Sequence, residues 1–90
     1  MKHVMVVTGG SRGIGAATAR LAAARGYAVC INYRQNEAAA RSLVQAISDA
    51  GGEAVAVAGD VGSEADVVRL FSEADRSLGP VTALVNNAGI

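Results

Sequence analysis

The sequence has little of several residue types that mark particular protein classes. It contains no tryptophan, one cysteine, one proline and one lysine, Lys2. A single cysteine, Cys30, excludes an internal disulfide and favours a reducing compartment. No apolar run reaches the roughly eighteen residues of a membrane helix, and the N-terminus lacks the features of a signal peptide. These absences predict a soluble, cytoplasmic protein with no membrane partner.

An excess of charge of one sign is also lacking. Eight basic side chains balance eight acidic ones, and no basic run or stripe occurs, so a nucleic-acid partner is not expected. With 51% hydrophobic residues, the chain can form one compact core, and we expect a single domain over residues 1–90. Cys30 lies in an apolar run, and we interpret it as a small buried strand residue.

The sequence does contain an alternation of strand-like and helix-like segments. Short apolar runs at residues 4–7, 28–33, 54–58 and 81–85 predict four strands, the first of them central. Near-continuous apolar strands separated by helices imply right-handed crossovers and a parallel sheet covered on both faces. The sequence therefore predicts an α/β fold, a Rossmann-type doubly wound parallel sheet that stops after its fourth strand, in the order βαβαβαβ.

Three helical stretches separate these runs. In the first, apolar residues such as Ile14 and Leu21 recur at helical spacing. The second takes Asn36 as its cap, and the third opens with Ser63 and Asp66, spaced as in a capping box. Glycines follow the end of every helix. In such a fold, ligands bind at the carboxyl ends of the strands.

A glycine-rich stretch, TGGSRGIG, joins the first strand to the first helix. At a helix start, unpaired backbone N–H groups and the helix dipole attract an anion, and glycines let a phosphate approach. Gly9 suits the tight turn, Gly13 the approach of a pyrophosphate, and Gly15 close packing of the helix on the strand. The spacing differs from G-x-G-x-x-G, and Ala16 stands where a P-loop needs lysine. The alternative is a tight turn without a ligand.

The end of the second strand reads INYRQN, without the acid that would hold a ribose 2′-hydroxyl. Arg34 and, within the glycine loop, Arg12 offer charge-assisted contacts to a 2′-phosphate. This pair favours NADP over NAD as cofactor. The alternative is that both are solvated surface arginines.

Three motifs in this order, TGGSRGIG, GDV at 59–61 and NNAG at 86–89, resemble the short-chain dehydrogenase/reductase family in its TGxxxGxG branch. The resemblance covers essentially the whole chain but only the first part of the family's fold. It implies an oxidoreductase that transfers hydride between NADP(H) and a small carbonyl or alcohol substrate. It also implies a homo-oligomer.

The resemblance assigns cofactor contacts residue by residue. The phosphates would contact the glycine loop, and the 2′-phosphate would contact the end of the second strand. The adenine would lie at GDV, and the adenosine ribose would pass NNAG. The residues implied are Gly9, Ser11, Arg12, Gly13, Ile14, Gly15, Tyr33, Arg34, Asp60, Val61, Asn87, Ala88 and Gly89. An aspartate just past a strand is alternatively a simple turn residue.

No catalytic residue of the family matches this sequence. Its serine and Tyr-x-x-x-Lys are not found, because Tyr27 is followed four places on by Ile31 and Tyr33 by Glu37. We therefore expect the chain to be the cofactor-binding piece of a longer polypeptide, inactive alone. The alternative is a non-catalytic NADP-binding or sensing module, whereas a methyltransferase-like sheet would need an acid in place of Arg34.

Overall fold

The computed structural model describes residues 2–9 and 13–87 and confirms the predicted order of strands and helices. Predicted and observed strand ends differ by at most two residues, the largest difference being at the start of the fourth strand. The elements are β1 (Val4–Thr8), α1 (Gly13–Ala24), β2 (Ala28–Tyr33), α2 (Glu37–Asp49), β3 (Glu53–Ala58), α3 (Glu64–Leu78) and β4 (Ala83–Asn86).

The four strands form one parallel sheet in the order β3-β2-β1-β4. β1 is central, with Val6 level with Cys30 on one side and with Leu84 on the other. The chain moves outward from β1 to β3 and then returns to the opposite side of β1, so the winding direction changes between β1 and β4. This is the predicted doubly wound, Rossmann-type sheet ending at its fourth strand, and all four carboxyl ends lie along one edge.

Helices cover both faces of the sheet. Because successive strand residues point to opposite faces, each strand contributes side chains to two cores. On β2, Val29 and Ile31 join the core beneath α1 and α2, whereas Ala28 and Cys30 join the core beneath α3. All four side chains are essentially inaccessible to solvent. A strand buried on both faces explains the continuous apolar run that the sequence shows there.

The packing of α1 differs from the expectation. Ile14 and Leu21, at helical spacing, are 69% and 55% exposed, and the face that packs inward consists of Gly15, Ala19 and Ala22. Small side chains allow a helix to lie close to the sheet and to its neighbouring helix. The helical period is therefore correct but the buried face is not, because close approach selects for small residues here over large apolar ones.

The predicted caps of α2 and α3 are present. Asn36 accepts a hydrogen bond from the Ala39 N–H at 3.2 Å, and Ser63 accepts one from the Asp66 N–H at 3.3 Å. The second half of the capping box does not form. The Ser63 N–H donates to the Asp60 carbonyl, and the Asp66 carboxylate accepts from the Asp60 N–H instead. The carboxylate that the capping-box pattern assigned to the Ser63 N–H thus bonds to the turn six residues before it.

Candidate functional site

The carboxyl ends of β1 and β4 meet where the sheet changes its winding direction. The Thr8 hydroxyl donates to the Asn86 side-chain oxygen at 2.8 Å and accepts from the Asn87 N–H at 3.1 Å. Thr8 is 5% exposed, so these bonds form in a largely dry environment. They hold the start of the glycine-rich loop against the end of β4.

The described part of the glycine-rich loop has the backbone conformation that glycine alone adopts easily. Gly9 and Gly13 have φ values of 63° and 64°. Beyond its own helical turn, an added Cβ at Gly13 would meet no atom of the described residues within 4 Å, so these residues leave space beside Gly13. Gly15 is buried in α1. Ser11 and Arg12 lie outside the described residues.

The N-terminus of α1 is electrostatically suited to an anion. Its first turn contains no acidic residue, in contrast to α2 and α3, which have carboxylates there. The first N–H groups of any helix lack intrahelical acceptors, and the positive end of the dipole lies at the same place. Ile14, in this first turn, is exposed, so its side chain is not part of the protein core.

Arg34 follows the last residue of β2 and faces the end of β3. Its side chain is 71% exposed, and its Nη2 atom lies 3.7 Å from the Asp60 Oδ2 atom. Tyr33 beside it is half-buried. The sequence-based expectation that Arg34 and Asp60 lie at the same edge is consistent with this contact. An exposed ion pair at this distance contributes little stability, so the guanidinium is available to a stronger anion.

Asp60 forms a turn as well as facing Arg34. Its Oδ1 atom accepts from the Gly62 N–H at 2.8 Å, which is the turn that the alternative interpretation of this residue predicted. Its backbone N–H donates to the Asp66 carboxylate at 2.9 Å, so the first turn of α3 also holds the backbone at Asp60 in place. Val61, the next residue, is 37% exposed. Asp60 thus keeps one oxygen directed toward the arginine at the edge of the site.

Asn87 has one amide group with an unusual environment. Its Nδ2 atom is buried and has no hydrogen-bond partner among residues 2–9 and 13–87. A buried unsatisfied donor costs free energy, which makes a partner outside these residues the expected arrangement. Ala88 and Gly89, predicted to lie in the same segment, are outside the described residues.

Three residues of this edge were not identified as site residues from the sequence. Thr8 and Asn32 are the two buried polar residues of the described chain, and Asp66 holds Asp60. All three are polar residues at or near the end of a strand or in the first turn of a helix, and the sequence alone indicates those positions. The partners of Thr8 and Asn32 lie far away in sequence and are brought close by the parallel sheet, whereas Asp66 bonds to Asp60, six residues before it.

Cys30, Tyr27 and Lys2 lie away from the carboxyl ends of the strands, since Cys30 is in the middle of β2 and the other two precede strands. Burial raises the pKa of the Cys30 thiol to about 12, and the Glu73 carboxylate adds to this shift, so the predicted buried, unreactive thiol is supported. Tyr27 and Lys2 lie at the opposite edge of the sheet, where the strands begin, which we call the amino edge. There Tyr27 packs against His3, and Lys2 pairs with Glu53 at 3.2 Å.

Two further features are absent from residues 2–9 and 13–87. None of the helices there has the length and apolar character of a membrane span, and no group of three or more side chains is placed to hold a metal ion.

Comparison with known proteins identifies the family of this chain. The short chain dehydrogenase family model matches residues 3–90. The 3beta-hydroxysteroid dehydrogenase 1 of Eggerthella lenta is 51% identical over 86 residues, which cover 96% of this chain and 33% of that protein.

Two solved structures share the fold closely. A blue fluorescent protein from a metagenomic library, in complex with NADPH, has a TM-score of 0.93 and 43% identity, covering 98% of this chain and 36% of its own. A short chain dehydrogenase from Burkholderia cenocepacia, in complex with NADP, has a TM-score of 0.91 and 39% identity, covering 99% of this chain and 36% of its own. The chain thus spans about a third of these proteins. It belongs to the short-chain dehydrogenase/reductase family of oxidoreductases.

Proposed function

We propose that this chain is the cofactor-binding part of an NADP-dependent oxidoreductase, with the cofactor lying along the carboxyl edge of the sheet. The observation that carries the proposal is the junction of β1 and α1, where Gly13 has a positive φ and the described residues leave open space beside it at the helix N-terminus. A negatively charged diphosphate fits this position in both charge and space. The NADPH and NADP complexes of the two similar structures support the same cofactor.

The residues of this edge divide among the parts of the cofactor. We assign the diphosphate to the glycine-rich loop and the head of α1, the 2′-phosphate to the end of β2, and the adenine to the start of the β3–α3 turn. The adenosine ribose would pass the end of β4. The proposed contacts are Gly9, Ser11, Arg12, Gly13, Ile14, Gly15, Tyr33, Arg34, Asp60, Val61, Asn87, Ala88 and Gly89.

Arg34 supports NADP over NAD. It is exposed beside the site, and its one ion pair among the described residues, to Asp60, is long and solvated. A phosphate dianion offers a guanidinium shorter, charge-assisted hydrogen bonds than this carboxylate does. NAD has a 2′-hydroxyl at that place and gains no such contact.

When bound, the cofactor supplies the hydride, and this chain binds and orients it. We place the proton-transferring residues of the reaction outside these 90 residues. The sole lysine, Lys2, pairs with Glu53 at the amino edge, and Tyr27 lies at the same edge, opposite the proposed cofactor. Tyr33 lies at the correct edge but has Glu37 four residues later.

The native polypeptide is therefore proposed to be longer, with residues 1–90 forming the dinucleotide-binding part of a single Rossmann-fold domain. The shared length of about a third of the relatives supports this. We further propose a small carbonyl or alcohol substrate, a homo-oligomeric enzyme and a cytoplasmic location, the last because the lone cysteine is a buried, free thiol.

Calorimetric titration of the natural polypeptide with NADP and NAD tests the cofactor assignment. We expect NADP to bind more tightly than NAD. The Arg34→Asp substitution should lower the NADP affinity by about 10- to 100-fold, which corresponds to the free energy of one charge-assisted hydrogen bond. Arg25→Asp, at an exposed arginine beyond α1, is the matched control and should leave both affinities unchanged. Equal affinities for the two cofactors in the unmutated protein would defeat the assignment.

A further inference from the structure

Asn32 is a buried amide at the centre of the proposed cofactor edge. It lies next to last in β2, between the ends of β1 and β3, and is 3% exposed. Buried amides need several hydrogen bonds, since a donor or acceptor left unpaired in a dry environment costs free energy. Where Asn32 finds its partners therefore shows what it holds together.

The partners of Asn32 come from both neighbouring strands. Its Oδ1 atom accepts from the Gly9 N–H at 3.4 Å, and its Nδ2 atom donates to the carbonyls of Val57 and Gly59 at 3.3 and 3.1 Å. The Gly9 N–H lies beyond the last β1–β2 register pair, Val7 with Ile31. Only a side chain with an acceptor on one side and a donor on the other can make both sets of bonds.

These contacts connect two segments with different proposed roles. Gly9 begins the glycine-rich loop, which we assign to the diphosphate, and Gly59 precedes Asp60, which we assign to the adenine. We call residues 59–61 the adenine segment. We infer that Asn32 is a positioning residue that fixes the glycine-rich loop relative to the adenine segment without itself touching the cofactor. This inference rests on the proposed function.

The two segments do not depend on Asn32 equally. The end of β3 has a second set of contacts from α3, in which Asp66 accepts from the Asp60 N–H at 2.9 Å and Arg69 donates to the Ala58 carbonyl at 2.6 Å. At the end of β1, the Thr8 side chain bonds to Asn86 and Asn87, but the Gly9 N–H itself has Asn32 as its one acceptor among the described residues. Removing the amide should therefore release the glycine-rich loop more than the adenine segment.

The first experiment measures binding of two ligands to the natural polypeptide and to Asn32→Leu, an uncharged variant of similar size. NADP engages both segments through its diphosphate and its adenine, whereas adenosine 2′-monophosphate lacks the diphosphate. Arg12 is then its one proposed contact within the glycine-rich loop, and its other contacts lie at Arg34, the adenine segment and the end of β4. We expect Asn32→Leu to weaken NADP by at least tenfold and adenosine 2′-monophosphate by less than threefold. Gln45→Leu, which removes an exposed amide of α2, should change neither. A loss of equal size for both ligands would show a general structural role and overturn the inference.

A second variant covers the case in which Asn32→Leu does not fold. Asn32→Asp keeps the acceptor for the Gly9 N–H but directs its other oxygen at the Val57 and Gly59 carbonyls. When protonated, the new carboxyl has one O–H group, which donates to one of those carbonyls and removes the repulsion between a charged oxygen and both of them. The NADP affinity of Asn32→Asp, relative to the unmutated protein at each pH, should therefore recover as pH falls from 8 to 5.5. A constant ratio overturns the inference, and absence of NADP binding by the unmutated protein overturns the proposed function itself.

Discussion

Arg34 and Asp60 face each other across the carboxyl ends of β2 and β3, with the Nη2 and Oδ2 atoms 3.7 Å apart. Both side chains are substantially exposed, so the pair contributes at most about 1 kcal/mol to stability. Its significance lies in its position, because the cation proposed to bind the 2′-phosphate already has a competing anion beside it.

Removing that anion should sharpen the choice of cofactor. In Asp60→Asn, the side-chain oxygen still accepts from the Gly62 N–H, but the negative charge facing Arg34 is absent. We expect the ratio of NADP to NAD affinity to rise by up to about fivefold, the equivalent of about 1 kcal/mol. Calorimetric titration gives the ratio. An unchanged ratio would show that the carboxylate and the 2′-phosphate do not compete for Arg34.

Gly13→Ala tests the open space at the head of α1. The φ of 64° strains any other residue, which costs about 1 kcal/mol or more of folding free energy. The new methyl group meets no atom of the described residues beyond its own helical turn, but it would occupy the space assigned to the diphosphate. We therefore expect the NADP affinity of the folded variant to fall by at least tenfold.

Gly26→Ala is the control for this experiment. Gly26 also has a positive φ, 94°, and open space around an added Cβ, but it lies before β2 at the amino edge. Its substitution should lower the free energy of unfolding by a similar amount and leave NADP affinity unchanged. If both alanine variants bind NADP equally well, the diphosphate does not lie against Gly13.

The Cys30 thiol should be inert and should make stability sensitive to alkaline pH. Its pKa is about 12 in the folded protein, mainly because of burial, against an ordinary value of 9.0. The unfolded thiol therefore loses its proton at a lower pH than the folded one does, and the free energy of unfolding falls as pH rises above 9.

Urea unfolding of the unmutated protein and of Cys30→Ala isolates this effect. Between pH 8.5 and 10 the unmutated protein should lose about 1 kcal/mol more than the variant does. Iodoacetamide at pH 8 should modify the thiol only after urea unfolds the protein. Rapid alkylation of the native protein would contradict the buried placement of Cys30.

Asp66 should stabilise the protein through Asp60 and not through helix capping alone. Asp66→Ala removes a charged acceptor, 36% exposed, from the Asp60 N–H, and we expect a loss of about 1–2 kcal/mol in the free energy of unfolding. Glu64→Ala removes a second carboxylate from the same helical turn, with an expected loss below about 1 kcal/mol from the helix dipole. Equal losses in the two variants would assign Asp66 to the dipole alone.

The helical positions of α1 show where sequence reasoning reached its limit. The stretch around Ile14 and Leu21 predicted a helix correctly, because periodicity reflects the backbone repeat of 3.6 residues. The choice of buried face failed because large apolar residues were expected inside, whereas Gly15, Ala19 and Ala22 pack there. How closely a helix approaches the sheet is a property of the assembled layers and leaves little trace in a local pattern.

The amino-acid sequence by itself determined the alternation of strands and helices, the glycine-rich turn and the arginine that ends β2, because these depend on local backbone preference and hydrophobic period. Tertiary structure alone decided that Asn32 bonds to both neighbouring strands and that Arg34 meets Asp60. Each of these contacts joins residues on different elements. Their geometry is fixed only when the parallel strands align their carboxyl ends along a single edge.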